Sequence, residues 1–190
     1  MSLQHVAVSG WTGTLGQALT PLLRKIPQLT LISRNPPPKL PHNAVWQQMD
    51  MSRSAFDLDL AGVDVLFHLA SHPASSKFET EVGGTRRLME IARRDGVGHV
   101  VLISIVGIER VPIKYYRLKL EVEKVVKESG LPFSILRTTQ FFAFIHKTLA
   151  DFHRLPIAIL PREMLVQPLS VQAVAQRLYE IGIGTPVHAT

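Results

Sequence analysis

Short apolar runs alternate with longer stretches whose apolar residues recur every three or four positions, almost to the end of the chain. The short runs, near residues 4–9, 28–33, 44–48, 63–69, 98–105 and 131–137, predict strands. The longer ones, near 14–26, 77–95, 114–129, 141–153 and 170–182, predict helices that connect or cover them. Strands separated by helices make βαβ units, and these assemble into a parallel sheet with a helical layer on each face. The fold class expected is α/β, a doubly wound parallel sheet.

Local chemistry agrees with these divisions. Asn35-Pro36-Pro37-Pro38 extends neither a helix nor a central strand, so a stiff surface loop should follow the second strand. Ser129-Gly130, with Pro132 just beyond, is a helix stop. No internal repeat or low-complexity segment interrupts the pattern. At 190 residues and 46% hydrophobic content, the chain suits one domain with a full core. Residues 138–190 are expected to form a small substrate-side region within that domain.

Composition narrows the function classes. No cysteine is present, so disulfides, thiolate nucleophiles and thiolate metal sites are excluded, and a reducing cytoplasm is the compatible location. No run is long and apolar enough to span a bilayer, and the opening lacks the features of a secretory signal, so no membrane insertion is expected. A net charge of +6 suits an anionic ligand or nucleic acid. The densest basic cluster, Arg86, Arg87, Arg93 and Arg94, falls on a helix without interleaved aromatics, which reads as a solvated face and argues against nucleic acid.

The first strand runs directly into Gly10-Trp11-Thr12-Gly13-Thr14-Leu15-Gly16. A strand, a glycine-rich turn and a helix start in that order read as a dinucleotide-binding turn, the other reading being an ordinary tight turn. Gly10 permits the tight turn, Gly13 lets backbone approach a pyrophosphate, and Gly16 permits close packing of the helix on the sheet. Thr12, with the free N–H groups opening the helix at Thr14 and Leu15, would face the phosphates. At the end of the second strand stands Arg34, a multidentate donor suited to a ribose 2′-phosphate where an acidic residue would favour the 2′-hydroxyl. Arg34 therefore favours NADP(H), with NAD(H) as the alternative; its other reading is an ordinary surface arginine. Asp50, followed by Met51, lies where a carboxylate accepts from the adenine amino group, or else is a turn aspartate. Leu69, Ala70 and Ser71 at the end of the fourth strand leave room for a dinucleotide across the sheet edge. His68, on a central strand, reads as a buried structural histidine, and His72 has no evident partner.

Tyr115 and Lys119 are four residues apart, so on a helix they share a face. An ammonium near the phenol would lower its pKa and make it a competent general acid, while also reaching a nicotinamide ribose. The competing reading is an amphipathic helix with Tyr115, Leu118, Val122 and Val125 inward and Lys119 solvated. Tyr116 competes with Tyr115 for the inward position.

The glycine spacing resembles that of extended and atypical short-chain dehydrogenases/reductases, as do Phe67-His68-Leu69-Ala70 and Val82-Gly83-Gly84-Thr85-Arg86-Arg87-Leu88. Ile103-Ser104-Ile105-Val106-Gly107, Tyr115-Tyr116-Arg117-Leu118-Lys119, Gly130 to Arg137 and Gln167-Pro168-Leu169-Ser170-Val171 are similar to recurring segments of the NmrA-like group. That resemblance covers nearly the whole chain. It implies a Rossmann domain, bound NADP(H), and either quinone or carbonyl reduction or a sensing role without turnover. It also implies that Arg137, Thr138 and Thr139 border nicotinamide and substrate, and that Ser104 joins Tyr115 and Lys119 in catalysis. The family's substrate-orienting serine or threonine usually lies one or two positions beyond Ser104, where this chain has Ile105 and Val106. Relatives commonly carry a longer carboxy-terminal region, which implies a shallow substrate site or one completed by a partner chain. An oxidoreductase acting on a small carbonyl or quinone is thus expected. The rivals are a cofactor sensor with a regulatory protein partner or homodimer, and more weakly an isomerase or dehydratase.

Overall fold

The computed structural model describes residues 3–71, 77–110, 112–142, 145 and 167–187. Six strands form one sheet: β1 (His5–Ser9), β2 (Gln28–Ser33), β3 (Ala44–Gln48), β4 (Val65–His68), β5 (His99–Ile105) and β6 (Phe133–Thr138). Their order is β3-β2-β1-β4-β5-β6, and every neighbouring pair is parallel. Sequential strands step outward from β1 in one direction and then, from β4, in the other. The order therefore reverses between β1 and β4, where a doubly wound sheet opens its ligand crevice.

Both faces are covered, so the central strands are apolar on both sides. Val6, Val8, Val65, Phe67 and Val101 pack with Leu15 and Leu19 of α1 (Thr14–Leu19) and Val174 and Leu178 of α4 (Val171–Ile183). Ala7, Leu66, Val100 and Leu102 face the other way, onto Leu88 and Met89 of α2 (Gly84–Arg94) and Leu118, Val122 and Val126 of α3 (Lys114–Lys127). The period-two alternation of each strand thus feeds two separate cores. Ser170 caps α4 by accepting a hydrogen bond from Ala173 N.

Two helices depart from the sequence expectation. The helix expected over 14–26 is α-helical only to Leu19 and tightens into a 3₁₀ turn over Thr20–Leu23, with Pro21 in its first turn. Proline supplies no N–H for the α ladder, and its ring crowds the preceding turn. The helix expected over 77–95 begins as a π turn, Glu79–Gly83, before α2. That wider turn leaves Thr80, Glu81, Val82 and Gly83 all buried. The helix expected over 141–153 falls almost wholly outside the described residues. Beyond β6 the chain meets a later segment: Phe142 N donates to Leu169 O, and Leu169 N to Gln140 O. Among the described residues no helix is long and apolar enough to cross a membrane.

Candidate functional site

The crevice is built around the first turn. Gly10 has φ +75°, and its N–H donates to Ile32 O at 3.0 Å. A Cβ at Gly10 would lie 2.5 Å from Ala70 N, so glycine is required both for the backbone angle and for the approach of β4. Gly13 N closes the turn on Gly10 O at 3.0 Å. Gly13 is also the N-cap of α1 and provides no side-chain cap, so the first-turn N–H groups are left for a ligand. Gly16 was expected to bring the helix close to the sheet; instead its Cβ would sit 2.3 Å from Trp11 Cα, within the turn itself. The third glycine tightens the loop.

A cavity of about 420 Å³ follows the carboxyl ends of β1, β2 and β4. It brings together Gly10, Thr12, Gly13, Arg34, Asp50, Met51, Leu69, Ala70 and Ser71 from the sequence reading. Thr14 is exposed on the first turn, whereas Leu15 and Gly16 are buried and leave only backbone for a ligand. Ser33, Ser52, Lys77 and Thr80 also line the cavity and carried no signal in the sequence. Arg34 is exposed, and Asp50 beside it is a turn aspartate whose Oδ1 accepts from Ser52 N and Ser52 Oγ. Those bonds, helped by the Arg34 and Arg53 charges, hold the Asp50 carboxyl below its usual range.

At the far end of the cavity the Tyr115 hydroxyl lies 2.7 Å from Ser71 Oγ. Tyr115, not Tyr116, is thus bonded to a residue that lines the cavity, though neither tyrosine lines it directly; the two rings are 6.4 Å apart and tilted. The expected acidification of the phenol is not found. Burial pushes Tyr115 up to about 12, with the Glu81 charge adding to the rise. Lys119 is buried and donates from Nζ to Ile103 O at 2.9 Å, and burial lowers it to about 8 against the opposing pull of Glu81 and Glu123. Far from being solvated, Lys119 belongs to an internal polar layer.

That layer includes His68, whose Nδ1 pairs with Ser9 Oγ at 2.8 Å and Nε2 with Thr85 Oγ1 at 3.0 Å. Burial brings His68 to about 3, so it is a neutral structural histidine. Ser104 is buried on the α3 side of the sheet, and its hydroxyl finds no hydrogen-bond partner there among the described residues. Glu81, buried to 1% exposure, accepts from Ser71 Oγ at 2.8 Å. An acidic residue among helix-forming neighbours gave no hint of this; only the π turn directs it inward.

Arg137, Thr138 and Thr139 do not line the cavity. Arg137 Nε and Nη2 each donate to Glu123 at 2.8 Å, and Nη1 lies 2.5 Å from Glu109. The guanidinium is held by these two carboxylates and has no free fork for a cofactor. Thr138 is buried with its hydroxyl toward Ser104 O, and Thr139 donates to Gln167 O. His72 lies outside the described residues.

An uncapped helix start, a turn whose first and third glycines admit no Cβ, an arginine at the end of β2 and small residues ending β4 together fit a dinucleotide. Among the described residues, no group of His, Asp or Glu side chains is placed to hold a metal ion.

Solved structures share this architecture. MoeE5 in complex with UDP-glucose and NAD superposes with a TM-score of 0.78 at 22% identity, covering 97% of this chain and 74% of that one. The Citrobacter sp. triphenylmethane reductase complexed with NADP(H) gives 0.75 at 18%, covering 98% and 68%. The NADPH-dependent quinone oxidoreductase QOR2 of Escherichia coli gives 0.69 at 18%, covering 94% and 64%. At these identities the likeness speaks for the fold. No curated protein matches the chain. A family model described as NAD(P)H-binding matches residues 10–143, from the first glycine of the turn to just beyond β6, and the chain therefore belongs to that NAD(P)H-binding family.

Proposed function

We propose that the protein is an NADP(H)-dependent oxidoreductase that reduces a small carbonyl or quinone. The observation that carries this reading is the continuity of the crevice: one cavity runs from Arg34 and Asp50, past the glycine turn, to Ser71, and the Tyr115 hydroxyl is hydrogen-bonded to Ser71. When bound, the nicotinamide dinucleotide supplies hydride to the substrate. Thr12 and the backbone N–H groups of the turn hold the pyrophosphate, and Arg34 reads the 2′-phosphate. Lys119 is the ribose ligand, held in place by Ile103 O. Residues 138–190 supply the substrate side.

Tyr115 is the proton donor. A phenol raised to about 12 keeps its proton through the physiological range. It releases that proton only to an oxygen that has become strongly basic, as a carbonyl oxygen does when its carbon gains hydride. The test is loss of NADPH absorbance with a panel of aldehydes and quinones. For aldehydes, Tyr115→Phe should lower kcat by roughly 10²- to 10⁴-fold with little change in NADPH affinity; parent-like turnover would remove Tyr115 from that role. Quinones can take protons from water, so for them the effect should be small.

A sensor reading, in which cofactor occupancy alters binding to a protein partner without turnover, is favoured by one observation. Ile105 and Val106 stand where a substrate-orienting hydroxyl is expected, and Ser104 is buried outside the cavity lining. A parent protein that binds NADPH but reduces neither substrate class would make that reading the better one.

A further inference from the structure

The π turn places a carboxylate behind the proton donor. Its residues Thr80 to Gly83 are buried, and Glu81 Oε2 accepts from Ser71 Oγ at 2.8 Å. The same Ser71 Oγ lies 2.7 Å from the Tyr115 hydroxyl, and Ser71 also lines the cavity. Three proton-bearing groups from three parts of the chain therefore stand in a row that ends on a buried acid.

The row has a defined direction. An ionised carboxylate can only accept, so the one Ser71 proton goes to Glu81, and the Tyr115 hydroxyl must donate to Ser71. In that arrangement Tyr115 Oη presents a lone pair to the crevice, ready to receive a proton from a substrate hydroxyl. With Glu81 protonated the order reverses: Glu81 donates to Ser71, Ser71 to Tyr115, and the phenol O–H is free to point at a substrate carbonyl. Along the Glu81–Ser71–Tyr115 row the two arrangements differ by one proton on Glu81.

We propose that Glu81, acting through Ser71, is the proton reservoir of Tyr115, so that Glu81, Ser71 and Tyr115 form a relay between the crevice and a buried carboxyl group. This rests on the oxidoreductase reading. The proton balance is complete. As a carbonyl carbon gains the hydride pair supplied by the nicotinamide dinucleotide, its oxygen takes the Tyr115 proton, Tyr115 takes that of Ser71, and Ser71 takes that of Glu81. A carboxylate is left, which solvent reprotonates through the crevice; oxidation of a hydroxyl runs the same transfers in reverse. Lys119, whose ammonium is drawn toward Glu81, steadies the carboxylate when it forms. Neither Glu81 nor Ser71 need touch the substrate.

The first test needs no turnover. The full-length chain carrying tyrosine labelled with ¹³C at Cζ is titrated by NMR from mildly acid to mildly alkaline pH, with the Tyr115 resonance assigned from Tyr115→Phe. The parent should show a pH-dependent step in the Tyr115 shift that is absent in Glu81→Gln and strongly reduced in Ser71→Ala. Tyr115 and Lys119, both on α3, feel the Glu81 charge, and Glu123 acts on the same Lys119; all three are retained in both variants. A parent without the step, or a step that survives Ser71→Ala undiminished, overturns the relay.

The second test uses single turnovers of the NADPH-loaded protein with benzaldehyde in H₂O–D₂O mixtures. Ser71→Ala and Glu81→Gln should each slow reduction by roughly 10- to 100-fold, and Glu81→Gln, which lies behind the cavity lining, should leave NADPH affinity unchanged. The dependence of rate on deuterium fraction should change from curved, with several protons moving, to linear. A slower rate with the curve unchanged would mean that Ser71 merely positions Tyr115, and overturns the relay. If the parent reduces neither aldehydes nor quinones, the oxidoreductase reading falls and the NMR titration alone decides whether Glu81 and Tyr115 share a proton path.

Discussion

Arg137 offers the sharpest separation between a cofactor-binding role and a structural one. In Arg137→Ala, Glu123 loses two parallel bonds of 2.8 Å while remaining buried, its side chain only 2% exposed. Removing one partner of a buried pair costs about 3–5 kcal/mol, because a charge is left uncompensated in a poorly polar site. Two features reduce the figure: the Arg137 side chain is 24% exposed, and Lys127 Nζ remains 3.5 Å from Glu123. A loss of about 2–3 kcal/mol is therefore expected, which for a chain of this size corresponds to a melting temperature lower by roughly 4–12 °C. The pH dependence has a definite sign. Arg137, together with the other partners of Glu123, holds its carboxyl below the usual carboxylate range. The stability it contributes is present above the unfolded-state pKa and is lost as pH falls through the lower folded-state value. The gap between parent and variant should thus be widest near neutrality and narrow toward acid. Thermal scans across pH, paired with NADPH titration calorimetry, decide the matter. Unchanged melting with weakened NADPH binding, or a gap that does not narrow in acid, would refute this account and return Arg137 to the nicotinamide.

The other predictions concern the crevice. Arg34→Asp should weaken NADPH far more than NADH, because it replaces a phosphate donor by a like charge; equal losses in calorimetry would show that Arg34 does not read the 2′-phosphate. Gly13 has φ −75° and ψ 167°, which valine adopts without strain, and a Cβ there meets only Gly10 O at 3.2 Å. Gly13→Val should therefore keep a native circular dichroism spectrum while losing the NADPH-induced rise in melting temperature, and a retained rise would exclude the turn from the site. Gly10→Ala should fail differently: φ +75° and a 2.5 Å clash with Ala70 N act on the fold itself, and denaturant unfolding should show a loss of at least about 1–2 kcal/mol.

The layered α/β plan was legible because it depends on local periodicity. All six strands lie where apolar runs predict them, and the glycine turn stands where a strand gives way to a helix. The grouping of Gly10, Thr12, Gly13, Arg34, Asp50 and Ser71 around one cavity was legible for a related reason: each is placed by a strand end, and strand ends can be counted along the chain. The two helix departures were less legible. Pro21 lay in plain view, but whether the chain bends, tightens or stops at a proline is settled by what the following leucines can reach. The π turn left no signature, since an extra residue in one turn changes which side chain points inward without changing composition.

The sequence by itself determined the elements, the alternation that builds a doubly wound sheet, and the turn chemistry that suits a dinucleotide, because all of these rest on interactions between residues near one another in the chain. Tertiary structure alone decided the partners of the polar groups. Arg137 meets Glu123 across the β6–α3 packing, Lys119 finds Ile103 O on β5, and Tyr115 finds Ser71 from 44 positions away. A buried polar group must find a partner wherever the fold provides one, and its protonation follows from that partner and from the depth of burial. The spacing of Tyr115 and Lys119 placed them on one helix, and the layer beneath the sheet determined that the phenol should be raised and bonded through Ser71 to Glu81.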